Sequence, residues 1–355
     1  MTLSKKQFPR GLVVGKFCPL HRGHELVIQR AMAECDEVIV VSYTKPEFFG
    51  CEPAKRKQWL TALFPTITTL VLDDYILETM CRDRNMGVAP TIPHNDAGDH
   101  FHRVFVGWLC CAMLQKTVDA VFTSQDYGDG FAARLTAYFQ QHTQPAPTVS
   151  HVSVNRARNL VPISGTVLRT DPHANRRFLS PQVYGSFVER ICFLGGESSG
   201  KTTLAAALAE KTKTKWVPEY GRELWEKQDG KLAFSDMLRI AETQCAREDD
   251  LTEQANRWLF CDTSPLTTLL YCKALFGSAS EELESHASRH YQAIFLCAPD
   301  IEFVHDGTRR DQQFRRYQHD WYLHELRKRS IKFSLLSGSL DVRIATVVAC
   351  IESSS

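Results

Sequence analysis

Val188-Glu189-Arg190-Ile191-Cys192-Phe193-Leu194-Gly195-Gly196-Glu197-Ser198-Ser199-Gly200-Lys201-Thr202-Thr203 runs from an apolar stretch through a glycine-rich turn into a helical pattern that continues to Lys211. Gly195 to Thr202 satisfies Gly-x-x-x-x-Gly-Lys-Thr in full, in the strand-to-helix context that gives the motif its meaning. Successive backbone N–H groups of Gly195, Gly196, Glu197, Ser198, Ser199 and Gly200 would cradle phosphates, with Thr203 in the turn that follows. Lys201 would bridge the terminal phosphates and the Thr202 hydroxyl would meet Mg²⁺. The motif therefore predicts an α/β phosphate-loop domain that binds ATP or GTP.

Working outward, the same alternation continues with a strand at Lys215–Val217, a helix from Phe234 to Gln254 and a strand at Trp258–Cys261. A helix follows Pro265, then strands at Ala293–Cys297 and Lys332–Leu335, then a helix from Leu340 to Ile351. Strands separated by helices imply a parallel, doubly wound sheet. Phosphoryl transfer to a hydroxyl needs a carboxylate near the γ-phosphate. Two candidates end strands, Glu219 and Asp262; Glu219 is assigned as base and Asp262 to Mg²⁺, with the exchange of roles open. Arg309, Arg310, Arg315 and Arg316 lie before the final strand, where a closing lid would bring guanidinium charge to the phosphates.

The first half of the chain alternates as well, with strands at Gly11–Lys16, Glu37–Ser42, Thr69–Leu72, Ala120–Thr123 and Val149–Val154. Helices are expected at Gly23–Glu34, Pro53–Leu63, His100–Leu114 and Gly130–Gln140. Asp83 to Asp99 is rich in Gly, Pro, Asn and Asp and reads as a long loop over the sheet. A polar stretch from Arg156 to Tyr184 places a domain boundary near residue 185, giving domains over 1–185 and 186–355. The first strand delivers Gly15, Lys16 and Phe17 to a turn, then His21-Arg22-Gly23-His24 opens a helix. A helix start favours phosphate, and imidazole N–H groups suit phosphoryl oxygens. His21, His24 and Lys16 are the catalytic candidates, with Gly15, Phe17 and Gly23 beside them. Ser164, Gly165, Thr166 and Arg169 form a second helix start that would grip the β and γ phosphates.

Composition bounds the rest. The chain has 355 residues, 43% hydrophobic and 23% charged, with a formal net charge of +1. That length suits two domains. The near-zero charge argues against nucleic acid as the main partner. No apolar run is long enough for a membrane span and the start lacks a signal peptide's apolar core, so no membrane association and a cytoplasmic location are expected. The 12 cysteines contain no Cys-x-x-Cys pair and several sit in apolar runs, which predicts buried thiols and no zinc.

The His-x-Gly-His and Ile163-Ser164-Gly165-Thr166-Val167-Leu168-Arg169 strings resemble those of the nucleotidyltransferase superfamily, and their spacing is similar to its nicotinamide mononucleotide adenylyltransferases. Thr123-Ser124-Gln125-Asp126-Tyr127-Gly128 resembles that family's substrate segment, with Gln125 where an acidic residue is usual. The resemblance implies substrate contacts from Asp126, Tyr127 and Gly128. Glu219 with Arg222 and Trp225 is similar to the base-bearing segment of P-loop deoxynucleoside kinases, implying substrate contacts there too. Taken in order, the two halves resemble the bifunctional nicotinamide-nucleotide adenylyltransferase and ribosylnicotinamide kinase family, from Gly11 to about Ile351.

That resemblance implies ATP as co-substrate at both sites, Mg²⁺, and nicotinamide riboside, nicotinamide mononucleotide (NMN) and NAD as ligands. It does not separate nicotinamide from nicotinic acid forms. Some members carry a DNA-binding helix-turn-helix before the first strand; ten residues stand there here, and no operator binding is expected. A homo-oligomer stays open. The alternatives are a nucleotidyltransferase for another phosphorylated metabolite fused to a nucleoside kinase, and a non-catalytic ATP- or NAD-sensing module.

One complete motif per half predicts separable activities. Lys201→Ala should abolish riboside phosphorylation while sparing NAD synthesis from supplied mononucleotide, and His24→Ala should do the reverse and accumulate mononucleotide. Product chromatography on the two variants checks this; loss of both activities in one folded variant contradicts it.

Overall fold

In the computed structural model the described residues are 6–124, 127–155, 159–304 and 310–353. The chain divides into two compact units, Met1–Tyr184 and Gly185–Ser355. Asp126 and Arg309, both singled out from the sequence, lie outside the described residues, as does Gln125.

The first unit runs β1 (Phe8–Gly15), α1 (Arg22–Glu34), β2 (Cys35–Tyr43), α2 (Pro53–Leu63), β3 (Thr68–Leu72), α3 (Asp74–Asp83) and α4 (Asp99–Trp108). It continues with β4 (Ala120–Thr123), α5 (Gly128–His142), β5 (Ser150–Ser153), α6 (Gly165–Thr170) and α7 (Pro181–Tyr184). The five strands are parallel in the order β3-β2-β1-β4-β5. Connections leave β1 toward β2 on one side and reach β4 on the other, so a crevice opens at the carboxyl end of β1. Leu12, Ile39, Val41, Leu72, Val121 and Leu135 are buried in the core of this unit.

Helix α3 was not anticipated. Its N-cap Asp73 accepts from the Ile76 N–H at 2.7 Å, and Leu77 and Cys81 bury one face. The stretch expected as one helix from His100 is α4 followed by a π-helical turn at Leu109–Leu114. The polar run before the boundary contains α6, a 3₁₀ turn at Arg176–Phe178 and α7. Periodicity is weak in such short elements because a single turn has too few residues to show a face.

The second unit runs β6 (Glu189–Leu194), α8 (Lys201–Thr212), β7 (Lys215–Val217), α9 (Tyr220–Lys227), α10 (Phe234–Thr252) and β8 (Trp258–Asp262). It ends with α11 (Pro265–Phe276), α12 (Glu281–His286), β9 (Ala293–Cys297), α13 (Gln312–Lys328), β10 (Ser334–Leu336) and α14 (Leu340–Ser353). Its strands are parallel in the order β10-β9-β6-β8-β7. Ile191, Phe193, Phe260 and Phe295 form the sheet side of its core, against Leu204 and Leu208 of α8 and Val347 of α14. Both units are thus doubly wound α/β domains. The 12 cysteines are all free thiols and most are buried, as the apolar runs around them predict.

Close packing at the centre of the first sheet depends on one missing side chain. A Cβ at Gly11 would sit 2.5 Å from Cys35 Sγ and 2.9 Å from the Phe122 ring. Gly11→Ala should therefore destabilise this unit by about 1–3 kcal/mol through overpacking. Urea denaturation followed by near-UV circular dichroism tests this, and an unchanged midpoint would contradict it.

Candidate active sites

In the first unit a cavity of about 550 Å³ opens where β1 and β4 end. Gly15, Lys16, Phe17, His21, Gly23, His24, Tyr127, Ser164, Gly165, Thr166 and Arg169 all line it, so residues from three separate sequence stretches converge. Of the substrate-segment candidates, Gly128 is the first residue of α5.

The histidines are fixed by the helix they open. His21 is the N-cap of α1 and its Nδ1 accepts the Gly23 N–H at 3.1 Å, while His24 Nδ1 accepts the His21 N–H at 3.4 Å. This reciprocal cap contributes about 1 kcal/mol to the helix start. It also sets the chemistry. A neutral ring whose Nδ1 accepts must carry its proton on Nε2, which makes both rings Nε2–H tautomers. The rings stack with centroids 3.7 Å apart, and Phe17 meets His24 edge-on at 4.9 Å.

Cation placement follows from α6 and the turn after β2. Ser164 caps α6 by accepting the Val167 N–H. Arg169 donates to the Cys18 carbonyl at 2.5 Å and to Thr166 Oγ1 at 3.2 Å, and its guanidinium lies 4.0 Å from the Phe48 ring centroid. Lys16 faces the same ring at 5.9 Å. Phe48 thus holds two cations on one wall.

Three features of this site have no linear signature. Fully buried Arg56 pairs with Glu47 and donates to Ser42 Oγ at 2.8 Å, and Ser42 Oγ donates in turn to the Lys16 carbonyl at 3.1 Å. His102 lines the cavity and meets the Tyr43 hydroxyl at 3.0 Å; burial and the Lys16 charge lower its pKa. Thr123 Oγ1 meets His151 Nε2 at 2.9 Å, and His151 Nδ1 meets Asp129 at 2.7 Å. The long loop expected over the sheet contributes Asn95 and Ala97 to the cavity wall.

In the second unit the phosphate loop joins β6 to α8. Gly195 has φ 146° and Gly200 φ 81°, conformations that glycine adopts without strain. Lys201 Nζ donates to the Gly195 and Gly196 carbonyls at 2.9 and 3.1 Å, and Thr202 Oγ1 donates to Asp262 Oδ2 at 2.5 Å. Thr203 follows on an exposed position of α8. Beneath the loop, buried Arg343 of α14 donates to the Ser199 carbonyl at 2.7 Å and pairs with Asp300.

Asp262 and Glu219 share the electrostatics of this loop. Burial raises both carboxyl groups above their ordinary values, opposed first by Lys201 in each case. Arg222 lowers both as well, which places its charge at the site. Asp262 Oδ1 is buried with no hydrogen-bond partner among the described residues. Trp225 packs at Gly230, where an added Cβ would lie 3.0 Å from its ring.

The lid expectation needs correction at Arg315. That side chain is 1% exposed and donates to the Ile301 carbonyl at 2.7 Å, within a helix of 17 residues. It is an anchor of α13, because a guanidinium buried at a carbonyl is spent on packing. Arg316, next in the same helix, is exposed, and Arg310 stacks over Phe314 at 4.5 Å.

Known proteins resemble this chain in sequence and in fold. Residues 190–343 match the AAA domain family. The chain is 27% identical over 322 residues to the trifunctional NAD biosynthesis/regulator protein NadR of Escherichia coli K12, covering 85% of this chain and 73% of that protein. It is 28% identical, with the same coverage, to the protein of that name from Salmonella typhimurium LT2. The crystal structure of a NadR protein in complex with NR has the same fold, with TM-score 0.67 and 21% identity over 99% of this chain and 97% of that one. A NadR protein in complex with NAD and AMP-PNP gives TM-score 0.66 and 18% identity over 97% and 96%.

The capped histidines make a claim about hydrogen positions. Long-range ¹⁵N–¹H correlation spectra near neutral pH should show His21 and His24 as Nε2–H tautomers, and Nδ1–H signals for both would contradict the cap. The similarity spans both halves of the sequence, and over 85% of its length the chain is similar to the NadR proteins.

Proposed function

We propose that the chain makes NAD in two ATP-dependent steps, phosphorylating nicotinamide riboside in the second unit and adenylylating the resulting NMN in the first. The observation that carries the reading is the presence of both complete phosphate sites in one chain that is similar to the NadR proteins along most of its length: the capped His21/His24 pair with Arg169, and the Gly195–Thr202 loop with Asp262.

In the second unit the primary hydroxyl of the riboside attacks the γ-phosphorus, the β–γ bridging bond breaks and ADP leaves. Glu219 accepts the hydroxyl proton, and Lys201 with the loop N–H groups holds the transferring phosphoryl group. Thr202 and Asp262 are the ligands we assign to Mg²⁺. A hydroxyl and a carboxylate with an unsatisfied buried oxygen fit a hard, oxygen-seeking cation. When bound, that ion neutralises charge on the phosphate oxygens. Asp262 already accepts from Thr202, which supports the assignment of Glu219 as the base.

In the first unit a phosphate oxygen of NMN attacks the α-phosphorus of ATP, the α–β bridging bond breaks and pyrophosphate leaves. The Nε2–H groups of His21 and His24 donate to oxygens on which charge develops, and Lys16, Ser164, Thr166 and Arg169 hold the departing phosphates. No proton transfer by a side chain is required. Tyr127 and Gly128 are assigned to the mononucleotide.

Incubating the protein with nicotinamide riboside, ATP and Mg²⁺ should yield NAD, ADP and pyrophosphate; no NAD from riboside, or NAD synthesis replaced by another dinucleotide product, overturns the assignment. Glu219 must be ionised to act, and its raised pKa moves that requirement upward. The kinase kcat should therefore fall with acid through an apparent pKa above the ordinary value of about 4.3. Glu219→Gln should lower kcat by about 10²–10⁴-fold with ATP still bound. A pH–rate profile and calorimetry check both, and full activity in that variant would pass the base role to Asp262.

A further inference from the structure

Glu197, third residue of the phosphate loop, sits in a position that works against the loop's purpose. A carboxylate among groups assembled to bind phosphate repels the nucleotide it serves. In this chain its amide N–H and both carboxylate oxygens are engaged. Its backbone N–H donates to Gln318 Oε1 at 2.8 Å, Oε1 accepts from the Tyr271 hydroxyl at 2.9 Å, and Oε2 accepts from the Arg310 N–H at 2.8 Å. Gln318 Nε2 donates to the same Tyr271 oxygen at 2.9 Å, which closes a ring of hydrogen bonds.

The ring joins three elements. Tyr271 comes from α11 and Gln318 from α13, where it is 1% exposed, and Arg310 immediately precedes Asp311, the N-cap of α13. Phe314 of α13 lies 5.9 Å from the Tyr271 ring. The loop meets the same helix through its backbone: a Cβ at Gly196 would sit 2.6 Å from the Arg315 carbonyl. Burial, then the Glu219 and Glu197 charges, push the Tyr271 hydroxyl well above its ordinary range, so it remains a donor. The cluster therefore feels the Glu219 charge and shares a loop with Lys201.

We propose that Glu197 is a positioning residue for phosphoryl transfer, its carboxylate latching α11 and the start of α13 to the phosphate loop so that the acceptor side is held in register with Lys201 and Glu219. The proposal rests on the kinase reading of this unit. It differs from a packing role in its expected signature. Removing the charge takes away repulsion toward ATP, whereas the latch loses the bond to Arg310, because an amide placed there would oppose one donor with another or give up Tyr271.

The test uses the full chain, on whichever nucleoside the wild-type protein phosphorylates. Glu197→Gln should lower kcat by about 10- to 100-fold while ATP affinity, read by calorimetry with AMP-PNP, is unchanged or several-fold tighter. Tyr271→Phe should act in the same direction. The double variant should be no slower than the slower single one, since both undo the same latch of Glu197 to α11 and α13. Adenylyl transfer from supplied mononucleotide reports that each variant is folded. A kcat within twofold of wild type, or a kcat loss matched by an equal loss of AMP-PNP affinity, overturns the latch. Wild-type failure on nicotinamide riboside would overturn the substrate assignment instead, leaving the ratio between variant and wild type to decide the latch.

Discussion

Parallel pairing about a central strand is the constraint on which both units depend. A parallel neighbour can be reached only by a crossover, and crossovers to opposite sides of one strand leave a crevice at its carboxyl end. β1 lies between β2 and β4, and β6 between β8 and β9. Each central strand therefore delivers its turn into that crevice. The following helix starts there, with its unpaired N–H groups directed at the same point. Phosphate chemistry on this scaffold is a consequence of chain topology before any side chain is considered.

The two units then finish that shared geometry differently. In the first, α1 is capped by imidazoles, so the groups that satisfy the helix start also define the ring tautomers. In the second, the loop closes on itself through Lys201, and its far side is gripped by Arg343, Gln318 and Tyr271 through backbone and carboxylate contacts. A charge shared through the low dielectric of a buried site shifts its neighbours, which is why the carboxyl groups of Glu219 and Asp262 respond to the same lysine. Adenylyl transfer calls for donors without proton transfer, and phosphoryl transfer to a hydroxyl calls for a base. The raised Glu219 carboxyl has no counterpart required in the first unit.

Elements that carry an apolar run or period bounded by turn residues were readable in the sequence. Helices α2 and α8 and strands β4, β7 and β9 fall where their patterns place them, to within a residue. Helices α3, α9, α12 and α13 were not recognised, and the arginines taken for a lid include one that is buried in α13. An arginine's role depends on what faces it, and composition is blind to that. The Arg56–Glu47–Ser42 support under Lys16 and the Thr123–His151–Asp129 relay likewise join residues from separate elements, with no fixed spacing to betray them.

By itself the sequence determined the two α/β halves, their order and the two phosphate motifs, since each of these is written in contiguous residues whose local conformation is set by glycine, apolar period and helix capping. Only the tertiary structure decided how Ser164 to Arg169 come to face His21 and His24 from well over a hundred residues away, which acid is occupied by Thr202, and what restrains Glu197. These depend on side chains meeting across elements. The physical reason is that local conformation follows from neighbours in the chain, whereas charge, tautomer and pKa follow from neighbours in space.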